Sequence, residues 1–135
     1  MSSSMRMLAQ EEENDDAAEV TWEDQQRINS FSKLNTRVRS LEEKLEELRQ
    51  EKEVLDDLAT ELELADEDEP VLYRVGETFL HMPLPRALKR LEKDQSEIDE
   101  RISSLSASTE ECESKMKELK VTLYAKFGRA INLDD

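Results

Sequence analysis

The chain has 135 residues and a formal net charge of −15, and 39% of its residues are charged while only 4% are aromatic. Its 2 glycines and 3 prolines are too few for the many turns of a β-sandwich or β-barrel, and its hydrophobic fraction of 36% is low for a thick globular core. The acidic balance also argues against nucleic acid and anionic membranes as partners, because both attract clusters of lysine and arginine.

Residues 1–20 are polar and acidic, with the run EEENDD at positions 11–16, which predicts a disordered acidic tail. We expect no secretory signal here, because acidic residues rather than a long apolar run follow the first methionines. A solvated tail is the simplest interpretation, and contact with basic protein surfaces is the alternative. Cys112 is the single cysteine and cannot form an internal disulfide. We therefore expect a cytoplasmic protein, with the nucleus left open as a second location.

A long first helix is predicted over residues 21–66. Thr21 followed by Asp24 is a helix start signal, because the hydroxyl caps a free N–H of the first turn and the acid suits the positive helix end. Neither glycine nor proline occurs between Thr21 and Glu69, and this length favours a coiled coil. Apolar residues recur at heptad a and d spacing, with one lysine among them. These seam positions are Phe31, Leu34, Val38, Leu41, Leu45, Leu48, Lys52, Leu55, Ala59 and Leu62.

A second helix is predicted over residues 84–127, with Pro85 in the first turn, where proline is tolerated. Gly128 suits the left-handed residue that commonly follows a helix, and residues 129–135 are expected to form an extended tail. Two helices of similar length joined by a short connection predict a mainly α fold, a long antiparallel two-helix coiled coil whose polar seam residues fix the register. The second seam contains Leu88, Leu91, Gln95, Ile98, Ile102, Leu105, Thr109, Cys112, Met116, Leu119 and Leu123.

The connection at residues 71–82 is rich in β-branched and aromatic residues and predicts a single β-hairpin. Gly76-Glu77 suits a two-residue type II′ turn, which pairs Val75 with Thr78 and places Tyr73 opposite Leu80. One face of this hairpin is almost wholly apolar. Because an isolated two-stranded hairpin is marginal in water and leaves two unpaired edges, we expect several copies or relatives to complete a sheet together.

Three blocks of sequence resemble the prefoldin family, over residues 20–135. The block VTWEDQQRIN at 20–29 resembles the start of the first helix of a eukaryotic β-type subunit, YRVGETF at 73–79 resembles the hairpin, and LYAKFG at 123–128 with INL at 131–133 resembles the C-terminal end. The resemblance assigns residues 21–128 to a β-type helical hairpin, since α-type subunits have a second β-hairpin. It implies a cytosolic heterohexamer in which this chain joins two α-type and three further β-type subunits.

The resemblance also implies a function and two sites. Prefoldin holds unfolded chains, notably actin and tubulin, and passes them without ATP to the cytosolic group II chaperonin. Its hairpins join into a platform, and its coiled-coil tips hold clients. The expected assembly residues are Val71, Leu72, Tyr73, Val75, Gly76, Phe79, Leu80 and Met82. The expected client-binding tip, where the first helix starts and the second ends, consists of Ile28, Phe31, Leu34, Met116, Leu119, Leu123 and Phe127. Plain coiled-coil core is the default interpretation of the tip residues that lie on a seam.

Three other functional classes are less consistent with the sequence. A coiled-coil adaptor would need only a polar loop where the apolar hairpin stands, and an acidic histone chaperone rests on net charge alone. An enzyme has the least support, because the sequence contains no nucleophile–base pair, phosphate-binding loop or metal-ligand cluster. The acidic run at 66–69 lacks the spacing of a calcium loop, and His81 has no neighbouring ligand. We therefore expect no catalytic residue, cofactor or metal.

Overall fold

The structure, a computed structural model, describes residues 19–134. In chain order they form helix α1 (Trp22–Glu63), strands β1 (Val71–Val75) and β2 (Thr78–Met82), helix α2 (Leu84–Phe127) and a short 3₁₀ helix at Gly128–Ala130. The mainly helical fold with one β-hairpin between two long helices is the predicted one. The predicted acidic tail falls mostly on residues 1–18, which lie outside the described residues, and its disorder stays a prediction.

The described residues divide into two compact units. The hairpin unit comprises residues 43–106 and contains both strands with the helix segments next to them. The terminal unit comprises residues 19–42 and 107–134 and contains the start of α1 and the end of α2. In the hairpin unit the two helix segments run antiparallel, since Lys52 pairs with Asp99 and Asp56 with Gln95. In the terminal unit they do so as well, since Asp24 pairs with Lys126 while Leu34 and Leu119 line one groove.

Helix α1 starts with the predicted capping arrangement. The backbone N–H of Asp24 donates to Thr21 Oγ1 over 3.1 Å, and the N–H of Thr21 donates to Asp24 Oδ2 over 3.0 Å, so two N–H groups without helical partners are satisfied reciprocally. The helix ends at Glu63 rather than at the predicted Asp66. Asp66 instead accepts a hydrogen bond from the N–H of Asp68 over 3.0 Å, a local turn that competes with the helix.

Burial follows the predicted seams with one shift in α2. Every predicted seam residue of α1 is buried or half-buried, and so are those of α2 from Leu91 onward. Leu88, however, is exposed, and Ala87 and Leu84 are buried in its place. The strands explain this shift, because Ala87 and Leu84 pack into the same cluster as Tyr73 and the small alanine leaves room for its ring.

Polar residues within the seam of the hairpin unit find partners on the opposite helix. Lys52 Nζ lies 2.7 Å from Asp99 Oδ1, and the bond raises the pKa of Lys52. Gln95 Nε2 donates to Asp56 Oδ1 over 3.4 Å. A step of four residues forward along α1, from Lys52 to Asp56, moves the partner four residues back along α2. This is expected when polar groups help to set the register of two antiparallel helices.

Candidate functional site

The hairpin has the register that the sequence predicts. Val71 pairs with Met82, Tyr73 with Leu80 and Val75 with Thr78. Gly76 has a φ of +65°, and no described residue other than glycine has a positive φ, so Glu77 completes the sign pattern of a type II′ turn. The turn therefore depends on a residue without a side chain at position 76.

The inner face of the hairpin packs on the helices. Tyr73 is only 1% exposed and lies with Met82 in a cluster that includes Leu62 and Leu91, while Val71 and Val75 pack at its edge. These residues of the predicted assembly set hold the hairpin to its own chain.

A partly buried hydrogen bond fixes the hairpin further. The hydroxyl of Tyr73 donates to Asp94 Oδ2 over 2.8 Å, and Arg90 Nε lies 3.1 Å from the other carboxylate oxygen of Asp94. Burial, together with this bond to Asp94, raises the pKa of Tyr73 far above its ordinary value, so the hydroxyl keeps its proton as a donor at any physiological pH. The same network makes the position of β1 on α2 specific.

The outer face of the hairpin exposes apolar side chains to solvent. Phe79 is 59% exposed and Leu72 is 52% exposed. Leu80, which pairs with Tyr73 and so lies on the inner face, is nevertheless 48% exposed. Within the part of the chain that the structure describes, the sheet contains β1 and β2 only, so each strand has one unpaired edge. Apolar side chains beside unpaired backbone groups are typical of a surface that is covered in an assembly. The structure thus divides the predicted assembly residues into buried anchors and exposed apolar residues.

A groove of about 470 Å³ lies next to the buried anchors in the hairpin unit. Leu55, Leu58 and Ile98 form its apolar wall, and charged side chains of both signs, including Arg74 and Glu97, surround it. The Arg74 Nε donates to the carbonyl oxygen of Gly76 over 2.7 Å, which ties this rim to the turn. The mixed charge fits a surface groove better than a ligand pocket, which would bring a few polar groups together over an apolar lining.

The terminal unit brings the predicted tip residues together. Ile28 and Phe31 of α1 form one buried cluster with Leu123 and Phe127 of α2. Met116 and Leu119 pack against this cluster and are half-buried, as is Leu34. The four residues at the centre are therefore core in this structure, and the three half-buried residues are the ones that solvent reaches.

Charged side chains, lysines more often than glutamates, line the accessible part of the cluster. Leu34 and Leu119 line a shallow groove of about 600 Å³ together with Lys33, Lys115 and Glu118. Met116 and Phe31 line a smaller groove of about 230 Å³ together with Lys117, Lys120 and Glu113. The tip residues thus form apolar floors with charged rims in which lysine predominates, in a chain whose overall charge is strongly negative.

Asp24 is a buried charge that the sequence analysis treats only as a helix start. Its carboxylate contacts Lys126 Nζ and lies 2.9 Å from Arg27 Nη1. The Lys126 contact and the backbone N–H of Thr21 lower the pKa of Asp24 to about 2. The cross-helix pair fastens the first turn of α1 to the last turn of α2. In the sequence, the only hint of this pair is an acid near the start of the first helix together with a lysine two residues before Gly128.

The C-terminal segment is part of the same cluster, a packing that the prediction of an extended tail at residues 129–135 did not include. Ala130, Ile131 and Leu133 are buried against the tip residues. Gly128 adopts a φ of +55° as predicted, and this left-handed residue turns the chain back onto the helices. The alternation of Ile131 and Leu133 around Asn132 is the sequence signal for an extended segment with one buried side.

No cofactor or metal position emerges from the described residues. They contain no group of three or more metal-binding side chains, and Cys112 is a buried free thiol. None of the helices in the described range has a stretch long and apolar enough to span a membrane. What the chain offers is two apolar surfaces, the outer hairpin face and the terminal cluster.

Comparison with known proteins gives consistent matches. The family model described as prefoldin subunit matches residues 25–130. Prefoldin subunit 4 of Saccharomyces cerevisiae is 45% identical over 130 residues, which cover 96% of this chain and 99% of the yeast protein. Prefoldin subunit 4 of Homo sapiens is 33% identical over 135 residues, covering 99% of this chain and 97% of the human protein. The crystal structure of the prefoldin beta subunit from Thermococcus strain KS-1 matches with a TM-score of 0.71 at 14% identity, over 82% of this chain and 96% of that chain, a likeness of fold.

Proposed function

The chain belongs to the prefoldin subunit family, whose members are parts of a chaperone complex, and from this premise we propose that it is a β-type subunit of a heterohexameric holdase that works without ATP. Its partners are then two α-type and three further β-type prefoldin subunits. Its clients are unfolded or nascent proteins such as actin and tubulin, which the complex delivers to the cytosolic group II chaperonin. The proposed location is the cytoplasm, with the nucleus as a second location.

The observation that carries the assembly part is the exposed outer face of the hairpin. Phe79 and Leu72 point away from the cluster that holds Tyr73 and Met82. The hairpin therefore packs one face on its own chain, while the apolar side chains of the opposite face have no covering residue in the described chain. A second hairpin on the unpaired edges would satisfy backbone groups and bury these side chains in one step. Family membership implies a complex with other prefoldin subunits, which supplies such hairpins.

The terminal cluster supports the client-binding part. Clients in many unfolded conformations need a non-directional apolar surface, which the half-buried Leu34, Met116 and Leu119 provide. Unfolded segments bound there would exchange quickly, because the accessible apolar area is small and lysines keep the rim hydrated. Weak binding followed by release suits a protein that passes its clients on.

Reconstitution tests both parts. The chain is purified alone and together with α- and β-type prefoldin subunits, and the native mass is measured by light scattering. We expect a discrete six-chain mass only with the partners, and this complex should suppress aggregation of denatured actin without ATP. A stable homodimer that ignores the partners would contradict the proposal and favour a coiled-coil adaptor.

Client binding is then tested on the assembled complex with the double variant Leu34→Ser/Leu119→Ser. Substitution of these half-buried residues should disturb folding less than substitution of the fully buried Phe31 or Leu123. The matched control is Val54→Ser, which removes an exposed apolar side chain from the hairpin unit instead. We expect the tip variant to assemble normally and to protect actin less well than the control. Equal protection by both variants would refute the tip as the client site.

A further inference from the structure

The C-terminal segment lies in the terminal cluster in the manner of a bound peptide. Ile131 is 3% exposed and Leu133 is 2% exposed, while Asn132 between them faces solvent. Ile131 has φ −132° and ψ 143°, which is extended backbone. An extended segment therefore buries every second side chain against α1 and α2, the pattern with which extended peptides bind to protein grooves.

Polar contacts fix the direction of this segment. The N–H of Leu133 donates to the hydroxyl oxygen of Tyr124 over 2.9 Å, and Lys120 Nζ lies 2.7 Å from Asp134 Oδ1. Together they define a site with two aliphatic subsites, a hydroxyl acceptor for a backbone N–H and a cation for an acidic side chain.

Side-chain contacts, rather than the continuous backbone hydrogen bonds of a helix, hold this segment in place. It has no sheet partner in the range that the structure describes beyond an isolated bridge at Ile131, and its ion pair joins side chains that are 37% and 71% exposed. Exposed ion pairs contribute little, so the two aliphatic side chains provide most of the attachment. Gly128, with its positive φ, is a flexible point between the helix and the segment. Such a segment opens locally without unfolding of the helices.

We propose that residues 131–134 are an internal ligand of the client-binding site, and that the site prefers extended client segments with two aliphatic residues two positions apart followed by an acidic residue. This inference rests on the proposed function, since it names the kind of segment that the tip binds. A client binds by displacing the chain's own segment. The apparent affinity of the site is therefore its intrinsic affinity multiplied by the fraction of time that the segment is out of the site. The central tip residues, buried in the structure, become accessible in the displaced state.

The test uses the complex assembled with its prefoldin partners and a fluorescent peptide with the sequence GRAINLD of residues 128–134. The variant Leu133→Ser weakens the internal segment, and Asn132→Ser is the matched control at a solvent-exposed position. Fluorescence anisotropy measures the affinity of the peptide for each complex. We expect Leu133→Ser to bind the peptide at least about fivefold more tightly than wild type, and Asn132→Ser to resemble wild type. A peptide with serine at both aliphatic positions should not bind.

A second variant covers the case in which Leu133→Ser does not fold. Asp134→Asn removes the segment's own charge from its ion pair with Lys120 and leaves every side chain of the site unchanged. It should increase peptide binding in the same direction, by a smaller factor. Unlabelled peptide should also lower the capture of denatured actin by the wild-type complex.

Equal peptide binding by wild type and both variants, or peptide binding that leaves actin capture unchanged, would overturn the inference. A wild-type complex that protects actin in that same experiment would leave the proposed function standing. A complex that protects no client at all would refute the proposed function itself, so the two failures are distinguishable.

Discussion

Replacing Phe79 by threonine tests the outer hairpin face directly. Threonine keeps the strand preference of the position, so the change removes apolar surface with little effect on the backbone. Phe79 is 59% exposed, and since an aromatic side chain offers about 200 Å², roughly 120 Å² is available to a partner. At about 25 cal/mol per Å² this area corresponds to about 3 kcal/mol on complete burial. The threonine methyl group retains part of it, which leaves a loss of about 2 kcal/mol, or a roughly thirtyfold weaker association.

The assay is the concentration at which half of the chain enters the complex with its prefoldin partners, measured by mass photometry. The melting temperature of the chain alone should barely change, because Phe79 lies outside the cluster around Tyr73. Leu64→Thr is the control, since Leu64 is 85% exposed but lies outside the hairpin. Association that weakens less than about threefold for Phe79→Thr, or equally for Leu64→Thr, would refute the argument from exposed area.

Three further predictions concern the chain itself. The Asp24 carboxylate, with a pKa of about 2 against an ordinary 3.8, stabilises the fold fully above pH 3.8 and loses this effect as the pH falls toward 2. Circular dichroism melts of wild type should therefore fall more steeply over that pH range than melts of Asp24→Asn, and parallel curves would contradict the assignment. Gly76→Ala should cost about 1–2 kcal/mol in urea unfolding from its positive φ alone, because no atom lies within 4 Å of the added Cβ. Glu77→Ala, at the other central position of the turn, should cost much less because the φ of Glu77 is negative, and an equal cost would point to another cause. Tyr73→Phe should cost about 1 kcal/mol through loss of the bond to Asp94, and an unchanged urea midpoint would show that the bond contributes nothing.

The elements that repeat regularly were predictable from the sequence, because heptad spacing and strand alternation repeat a signal many times. The seams of both helices and the register around Gly76 follow from such patterns. The start of the α2 seam did not follow, since Leu88 keeps the 3-4 spacing with Leu91 and Gln95 and is nevertheless exposed. Ala87 is buried instead, in the cluster that contains Tyr73, and that is a tertiary contact.

The terminal cluster shows a different limit. A heptad pattern selects apolar residues, and it therefore passes over Asp24 and Asn35, both of which are buried in the structure. Their burial depends on partners elsewhere in the fold, such as Lys126 for Asp24. Ile131 and Leu133 were missed because a segment of two alternating aliphatic residues is too short for any periodicity to be recognised.

The two apolar surfaces differ in whether the described chain covers them, and this difference bears on their proposed roles. The hairpin leaves Phe79 and Leu72 exposed with nothing from the described chain over them, which is costly for a protein that stays alone and suits a permanent partner. The terminal cluster is closed by the chain's own Leu133 and by the Asp24–Lys126 pair. A self-closed site avoids non-specific association when it is empty and opens only for a ligand that replaces the contacts it loses. The permanent assembly and the exchange of transient ligands that we propose require opposite solutions, and the exposed hairpin face and the closed terminal cluster correspond to these two solutions.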